Sequence, residues 1–252
     1  MTTNIKHSVL TFLVLILAVN QAFAQNDTLP FTDKSKNISI WAFAVPSAMI
    51  SYGIITRFSS DLQNFDKKID NEVLQNIHRK YSFDDYIQYT PYLGIYGLDL
   101  CGVKAKHNFL DRTLVLGSSI IICTSAVQIT KHATGVVRPD GSNNHSFPSG
   151  HTATAFLGAH ILFREYKDAS PWIGIAGYGV AFTAGTMRII NRKHWFSDVL
   201  AGAGIGILSV EMSYLLLPVW HKLFKMKPNS NSLVISPIIN DNFCGIGGIL
   251  MF

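Results

Sequence analysis

Long apolar stretches separated by short polar gaps dominate the middle of the chain. Six such stretches cover residues 38–55, 92–103, 113–130, 152–163, 172–187 and 199–220. The last five are rich in Gly, Ala and Ser, and small residues let helices approach each other closely in lipid. A membrane span needs about 20 apolar residues, so the shorter stretches require flanking residues to complete a crossing. The pattern predicts an all-α, polytopic membrane bundle of about six core helices over residues 38–220.

Two further segments have different patterns. Between residues 57 and 88, charged side chains alternate with apolar residues at three- to four-residue spacing, namely Leu62, Phe65, Ile69, Val73 and Ile77. This spacing is typical of an amphipathic helix, which lies either on a membrane surface or in a solvated linker. In the tail, residues 221–252, two apolar runs flank Asn240-Asp241-Asn242, which predicts a short β-hairpin.

Residues 1–24 have the layout of a secretory signal peptide. Lys6 and His7 precede an apolar run, and Ala22-Phe23-Ala24 offers a cleavage site of the small-x-small type. The run is short for a membrane span, so we expect cleavage. The alternative is a retained N-terminal helix. A signal peptide also indicates a protein of the bacterial envelope.

The composition agrees with a membrane protein. Hydrophobic residues make up 48% of the chain and charged residues only 15%, whereas soluble domains average about 25% charged residues. The net charge of +5 would suit nucleic acid, but the basic residues lie in short gaps and not in one run with interleaved aromatics. We therefore expect no nucleic-acid partner. The three cysteines cannot all pair, and they indicate neither a disulfide framework nor a metal site.

Three short motifs between residues 131 and 198 contain the candidate chemistry. They are Lys131 with Arg138-Pro139, then Pro148-Ser149-Gly150-His151, then Arg188 with His194 and Asp198. Together they supply three cations, two histidines, a carboxylate and a Ser-Gly turn.

The cations and the turn suit a phosphate group. A phosphoryl group in transfer spreads negative charge over its oxygens, and Lys131, Arg138 and Arg188 can stabilise that charge. Ser149 precedes a helical segment and is a candidate N-cap. The open N–H groups of that helix start can bind an anion, and Gly150 allows the backbone to approach it closely. These five residues form the predicted phosphate-binding set.

On these residues the chain resembles the type-2 phosphatidic acid phosphatase superfamily. Its signature is Lys-x6-Arg-Pro, Pro-Ser-Gly-His and Ser-Arg-x5-His-x3-Asp, and the chain departs from it only at Met187, where the family has serine. The resemblance implies that His194 attacks phosphorus and becomes phosphohistidine, and that His151 protonates the leaving alkoxide. It also implies that no metal or other cofactor is required.

Asp198 is expected to orient His194. The two residues are four positions apart, so they share one helix face if the helix already includes both. The carboxylate can then accept the proton of one ring nitrogen and hold the other nitrogen toward phosphorus, as the aspartate of a Ser-His-Asp triad does.

The resemblance implies a lipid phosphate as substrate, because the site opens between membrane helices toward the headgroups. The chain is also similar overall to envelope enzymes of the lipid A phosphatase type, so a phosphomonoester of lipid A is the expected substrate. Undecaprenyl pyrophosphate and phosphatidylglycerol phosphate are the alternatives. A soluble periplasmic acid phosphatase and a non-catalytic membrane scaffold or transporter are the rival classes. The apolar stretches argue against the first, and the intact motifs argue against the second.

We expect a multi-pass protein of the bacterial inner membrane with its active site facing the periplasm. The loops opposite the motifs, residues 104–112 and 164–170, and the tail contain Lys and Arg, which favours a cytoplasmic position for them. A cleaved signal peptide followed by three crossings would instead place the motifs inside. The loop charges and the family pattern favour the outward-facing site.

Overall fold

The computed structural model describes residues 39–77, 83–224, 232–240 and 243–251. The predicted signal peptide, residues 1–24, lies outside the described residues. The described elements are α1 (Trp41–Thr56), α2 (Ser60–Asn76), α3 (Asp84–Ile87), α4 (Thr90–Leu100), α5 (Phe109–Thr134), α6 (Gly150–Tyr166), α7 (Pro171–Ile190), α8 (Phe196–Leu223), β1 (Ser232–Asn240) and β2 (Phe243–Met251).

Six of the helices, α1 and α4 to α8, form an up-and-down bundle. Helix α6 is central and packs against α4, α5, α7 and α8, while α1 packs along α8. At one end of the bundle, the N–H of Ser149 donates to the carbonyl of Asp198 at 3.0 Å. At the other end, Arg112 at the start of α5 donates to Tyr166 at the end of α6, at 3.0 Å. The alternating directions therefore bring all three sequence motifs to one end.

The bundle is that of an integral membrane protein. Helices α5, α7 and α8 are long and apolar enough to cross a membrane, and α1 and α6 are shorter, at 16 and 17 residues. Large apolar side chains face outward, with Ile121 68% exposed on α5 and Phe182 70% exposed on α7. The predicted all-α, polytopic membrane bundle is confirmed.

A close contact between α6 and α8 fixes the geometry of the motif-bearing end. A Cβ on Gly202 would lie 2.4 Å from the carbonyl oxygen of Ser149, and one on Gly206 would lie 2.3 Å from that of Ala153. Only glycine permits this approach of two backbones. The start of α6 is consequently held against the first turns of α8.

The polar segment 57–88 is not the single amphipathic helix that its spacing predicts. Helix α2 begins after the N-cap Ser59, whose Oγ accepts from the N–H of Leu62 at 3.5 Å. It ends at Asn76, because Ile77 has an extended backbone. The short helix α3 then leads into α4. The segment therefore contains two separate helices at the motif-bearing end.

The C-terminal strands form an antiparallel hairpin. Ser232 of β1 pairs with Met251 of β2 at the open end, and Asn240 pairs with Phe243 next to the turn. The predicted β-hairpin is thus present.

Candidate active site

The site-forming residues come from helix ends and the loops between them. Lys131 lies in the last turn of α5 and Arg188 in that of α7. Ser149 and His151 lie at the start of α6, and Asp198 lies in the first turn of α8. Arg138 and His194 occupy the loops at the same end. The bundle therefore gathers every predicted site residue at one end.

His194 is held by its Nδ1 atom. This nitrogen lies 2.7 Å from the carbonyl oxygen of Ser146, which can only accept, so Nδ1 carries the proton and Nε2 carries the lone pair. The residue is 2% exposed. Burial, opposed by Asp198 and reinforced by Lys131 and Arg188, lowers the pKa of His194 to about 4. The imidazole is consequently neutral at pH 7, which is the form that can act as a nucleophile.

Asp198 supports His194 by a different arrangement from the one that the spacing predicts. Helix α8 begins at Phe196, so His194 precedes the helix and the expected shared helix face is wrong. The Oδ2 atom of Asp198 lies 3.8 Å from Nδ1 of His194, beyond hydrogen-bond distance. It accepts instead from the hydroxyl of Ser146 and from the N–H of Trp195, the latter at 3.0 Å. The carboxylate therefore acts on the imidazole through charge and through the Ser146 segment.

The motifs supply three cations at this end, Lys131, Arg138 and Arg188. The Nζ atom of Lys131 donates to the carbonyl of His145 at 2.7 Å. Nε of Arg138 is buried and has no hydrogen-bond partner among the described residues. Burial, together with the nearby Arg188, lowers the pKa of Arg138, yet the guanidinium stays charged at pH 7. Like charges held together in this way favour the binding of an anion.

The Pro-Ser-Gly-His motif opens α6 as predicted. Ser149 is the N-cap, and its Oγ accepts from the N–H of Thr152 at 3.4 Å. His151 is the second residue of the helix and is hydrogen-bonded through Nε2 to Oδ1 of Asp85 at 2.9 Å. The same carboxylate oxygen lies 3.6 Å from Arg188. Asp85 thus joins two predicted site residues that belong to different helices.

The loop before α8 is fixed by two ion pairs. Arg192 makes a bidentate pair with Asp70 of α2, with both distances at 2.7 Å. Lys193 pairs with Asp140 at 2.7 Å. Asp140 also accepts from the N–H of Ser142 at 3.0 Å, which is an Asx turn. These four charged side chains hold the loops around His194 in place.

The sequence interpretation missed a group of polar residues that reaches Asp198 from outside the motifs. Arg57 follows α1, Asp66 lies on α2, and Ser197 lies on α8. The guanidinium of Arg57 contacts all three of Asp66, Ser197 and Asp198. Asp66 and Ser197 are buried. The sequence pattern of this amphipathic segment does not show which of its charged residues are buried, and the three-dimensional contacts were needed to find them.

Comparisons with known proteins agree with the motifs. Residues 112–222 match the PAP2 superfamily, and all three motifs lie within this range. The match covers less than half of the chain and supports membership of the PAP2 superfamily for this region. The lipid A 1-phosphatase of Porphyromonas gingivalis is 39% identical over 132 residues, which cover 52% of this chain and 30% of that relative. The chain therefore spans less than a third of the relative's length.

Two crystal structures have a similar fold. Aquifex aeolicus LpxE has a TM-score of 0.44 and 24% identity, and the match covers 61% of this chain and 94% of that one. A transmembrane PAP2-type phosphatidylglycerolphosphate phosphatase from Bacillus subtilis has a TM-score of 0.44 and 18% identity, covering 73% and 98%. At this level of similarity, neither structure bears on the chemistry of the site.

Proposed function

We propose that this protein is a membrane lipid phosphatase that hydrolyses a phosphomonoester through a phosphohistidine at His194. The observation that carries this proposal is the state of the His194 ring. Its proton is held on Nδ1 by the Ser146 carbonyl, so the lone pair on Nε2 is available. The ring is buried and neutral, and it lies at the bundle end that gathers Lys131, Arg138 and Arg188.

In the first step, Nε2 of His194 attacks phosphorus and a P–N bond forms. The P–O bond to the lipid breaks, and His151 gives its proton to the leaving alkoxide. The imidazolium that results is stabilised by the Ser146 carbonyl and by the carboxylate of Asp198. Lys131, Arg138 and Arg188 bind the phosphoryl oxygens together with the N–H of Gly150, since the N–H of Ser149 donates to the carbonyl of Asp198.

In the second step, water attacks the phosphohistidine. His151, which is now neutral, takes a proton from that water as the new P–O bond forms and the P–N bond breaks. The electron pair of the P–N bond returns to Nε2 of His194. Inorganic phosphate leaves, and both histidines regain their starting states.

Lipid A is the proposed substrate. A relative that is 39% identical over 132 residues is a lipid A 1-phosphatase, and the site lies at the end of a membrane bundle, where a headgroup phosphate can reach it. The 1-phosphate is therefore the first candidate. Undecaprenyl pyrophosphate and phosphatidylglycerol phosphate are the alternative lipids.

The test uses purified full-length protein in detergent with each of the three lipids. Mass spectrometry should show the loss of one phosphate from lipid A, at the glucosamine 1-position. Acid-free quenching with ³²P-labelled lipid should trap label on the wild-type protein, and His194→Asn should trap none. If another lipid is hydrolysed at least tenfold faster, the substrate proposal is wrong. If wild-type protein traps no label from any of the lipids, the phosphohistidine mechanism is wrong.

We also propose that the site faces the periplasm. The opposite end carries the basic residues Lys104, Lys106 and Lys167, which favours a cytoplasmic position for that end. Asn144 is exposed at the site end, and Cys101 is exposed at the opposite end. In a Cys244→Ala background, a membrane-impermeant maleimide applied to spheroplasts should label Asn144→Cys and leave Cys101 unlabelled until the membrane is opened. The reverse labelling pattern would show an inward-facing site.

A further inference from the structure

The residues between α1 and α2 reach the candidate catalytic aspartate from outside the PAP2 motifs. One nitrogen of the Arg57 guanidinium lies 3.6 Å from Oδ1 of Asp198. This oxygen is buried and accepts no hydrogen bond from any residue that the structure describes. Arg57 is the cation that contacts this oxygen, and a buried charge is costly unless it is paired.

Arg57 is itself held in place by a buried relay. The same guanidinium nitrogen donates to the hydroxyl of Ser197 and to Oδ2 of Asp66, the latter at 3.3 Å. Ser197 in turn donates to Asp66 through its hydroxyl and, at 3.1 Å, through its N–H. Burial raises the pKa of Asp66, so its carboxylate depends on these donors. The relay fixes the guanidinium beside Asp198.

Close packing makes this contact possible. A Cβ on Gly53 would lie 2.6 Å from Cβ of Ala201 and 2.9 Å from the carbonyl oxygen of Ser197. Because Gly53 has no side chain, α1 approaches the first turn of α8, and Arg57, one turn later, reaches the carboxylate. The guanidinium also lies over the ring of Phe147, 5.2 Å from its centroid. Arg57 is thus held in one geometry from several sides.

We propose that Arg57, held by Asp66, is a positioning residue for Asp198, and through it for the nucleophile His194. This inference rests on the proposed phosphatase function. Arg57 fixes the position of the carboxylate, so that the imidazolium formed at phosphoryl transfer lies near a negative charge that is already in place. The part of the chain that precedes the matched PAP2 region therefore contributes to catalysis.

Helix α2 supplies a matched control for this inference. Asp61 and Asp66 both lie on α2, but Asp61 is exposed, whereas Asp66 is buried and pairs with Arg57. Asp66→Asn and Asp61→Asn are the same chemical change in the same helix. We expect Asp66→Asn to lower kcat about 10- to 100-fold with KM little changed, and Asp61→Asn to stay within about twofold of wild type.

Two variants of Arg57 complete the experiment. Arg57→Met should lower kcat by about 10- to 100-fold, and Arg57→Lys, which keeps the charge, should recover part of that loss. In an Asp198→Asn background, Arg57→Met should have almost no further effect, because its partner charge is gone. Losses that multiply in the double variant, or equal losses in Asp66→Asn and Asp61→Asn, would overturn the inference. If wild-type protein traps ³²P on His194 while the variants give either of these results, the positioning role of Arg57 is wrong but the proposed phosphatase function stands.

Discussion

The two ends of the bundle use buried charge in opposite ways. At the end away from the site, Glu165 and Glu211 are 1% and 3% exposed, yet each is fully paired. Nδ1 of His107 lies 2.9 Å from Glu165, and Arg164 contacts both oxygens of Glu211 at 2.9 Å. Such pairs hold helices together, but their net contribution to stability is small because both charges lose water.

At the site end, two of the motif cations have no ion-pair partner among the described residues. Lys131 donates to a carbonyl, and Nε of Arg138 has no hydrogen-bond partner. The carboxylate of Asp198 is shared between Arg57 and the His194 region. The difference indicates that paired buried charge in this protein serves structure, whereas cations without a paired carboxylate form the proposed anion-binding site.

Histidines at the two ends provide the largest contrast. His194→Ala removes the nucleophile and should lower turnover by about 10⁴-fold or more, since catalytic groups that act as a unit fail together. His160→Ala removes a partner of Glu211 and should lower the thermal unfolding temperature, while activity at about 20 °C stays within severalfold of wild type. Phosphate release and thermal unfolding in detergent measure the two effects. A comparable loss of turnover in both variants would contradict the division of roles.

The arginines at the two ends should separate activity from stability. Arg138→Met should lower kcat/KM by about 10²- to 10³-fold, as for the removal of one transition-state contact, and should leave stability unchanged or slightly raised, because a like-charge repulsion is removed. Arg164→Met leaves Glu211 without its arginine and should destabilise the protein by about 3–5 kcal/mol, with kcat/KM of the folded fraction unchanged.

Both arginine variants are measured in the same detergent by phosphate release and by tryptophan fluorescence during unfolding. The comparison fails if Arg138→Met is as unstable as Arg164→Met, since Arg138 would then be a structural residue. It also fails if Arg164→Met loses activity while it remains folded.

The sequence predicts the membrane bundle and the motif residues because both depend on local patterns. Apolar length indicates the spans, and the fixed spacing from Lys131 to Asp198 predicts a phosphate site. The predicted helix face shared by His194 and Asp198 is the instructive error. The helix begins at Phe196, because Asp198 caps it by accepting from the N–H of Trp195, and His194 therefore remains in the loop. An aspartate at this position of a first turn is a capping signal, and it explains the boundary.

The network around Arg57 could not be predicted in the same way. Arg57 and Ser197 are 140 positions apart, and nothing in the 57–88 pattern separates Asp66, which is buried, from Asp61, which is exposed. Both fit the polar face of an amphipathic helix. The close packing of α1 on α8 brings Arg57 next to Ser197 and Asp198. Such tertiary contacts produce no periodic pattern in the sequence.

A measurement of protonation sharpens the comparison at His194. Burial lowers its pKa to about 4, so the folded protein binds this proton only near pH 4, and the ring stays neutral from pH 8 down to pH 5. A histidine with the ordinary pKa would be only about 3% neutral at pH 5. The ring ¹⁵N resonances of His194 can be assigned in ¹⁵N-histidine-labelled protein, because they are absent from His194→Asn. Between pH 8 and pH 5 they should keep the chemical shifts of a neutral ring with Nδ1 protonated. Titration near pH 6.5 would show that the site is hydrated and that the nucleophile is not pre-formed.

The smallest expected effect is that of a chelator. If Lys131, Arg138 and Arg188 supply the positive charge that the phosphoryl oxygens require, a divalent cation has no essential part in the first step. Turnover in roughly 10 mM EDTA should stay within about twofold of the untreated rate. As a control, a zinc-dependent alkaline phosphatase in the same buffer should lose its activity. If EDTA abolished turnover and added Mg²⁺ or Zn²⁺ restored it, the three cations would be insufficient for phosphoryl transfer. The clustering of these cations at one end of the bundle would then need another explanation.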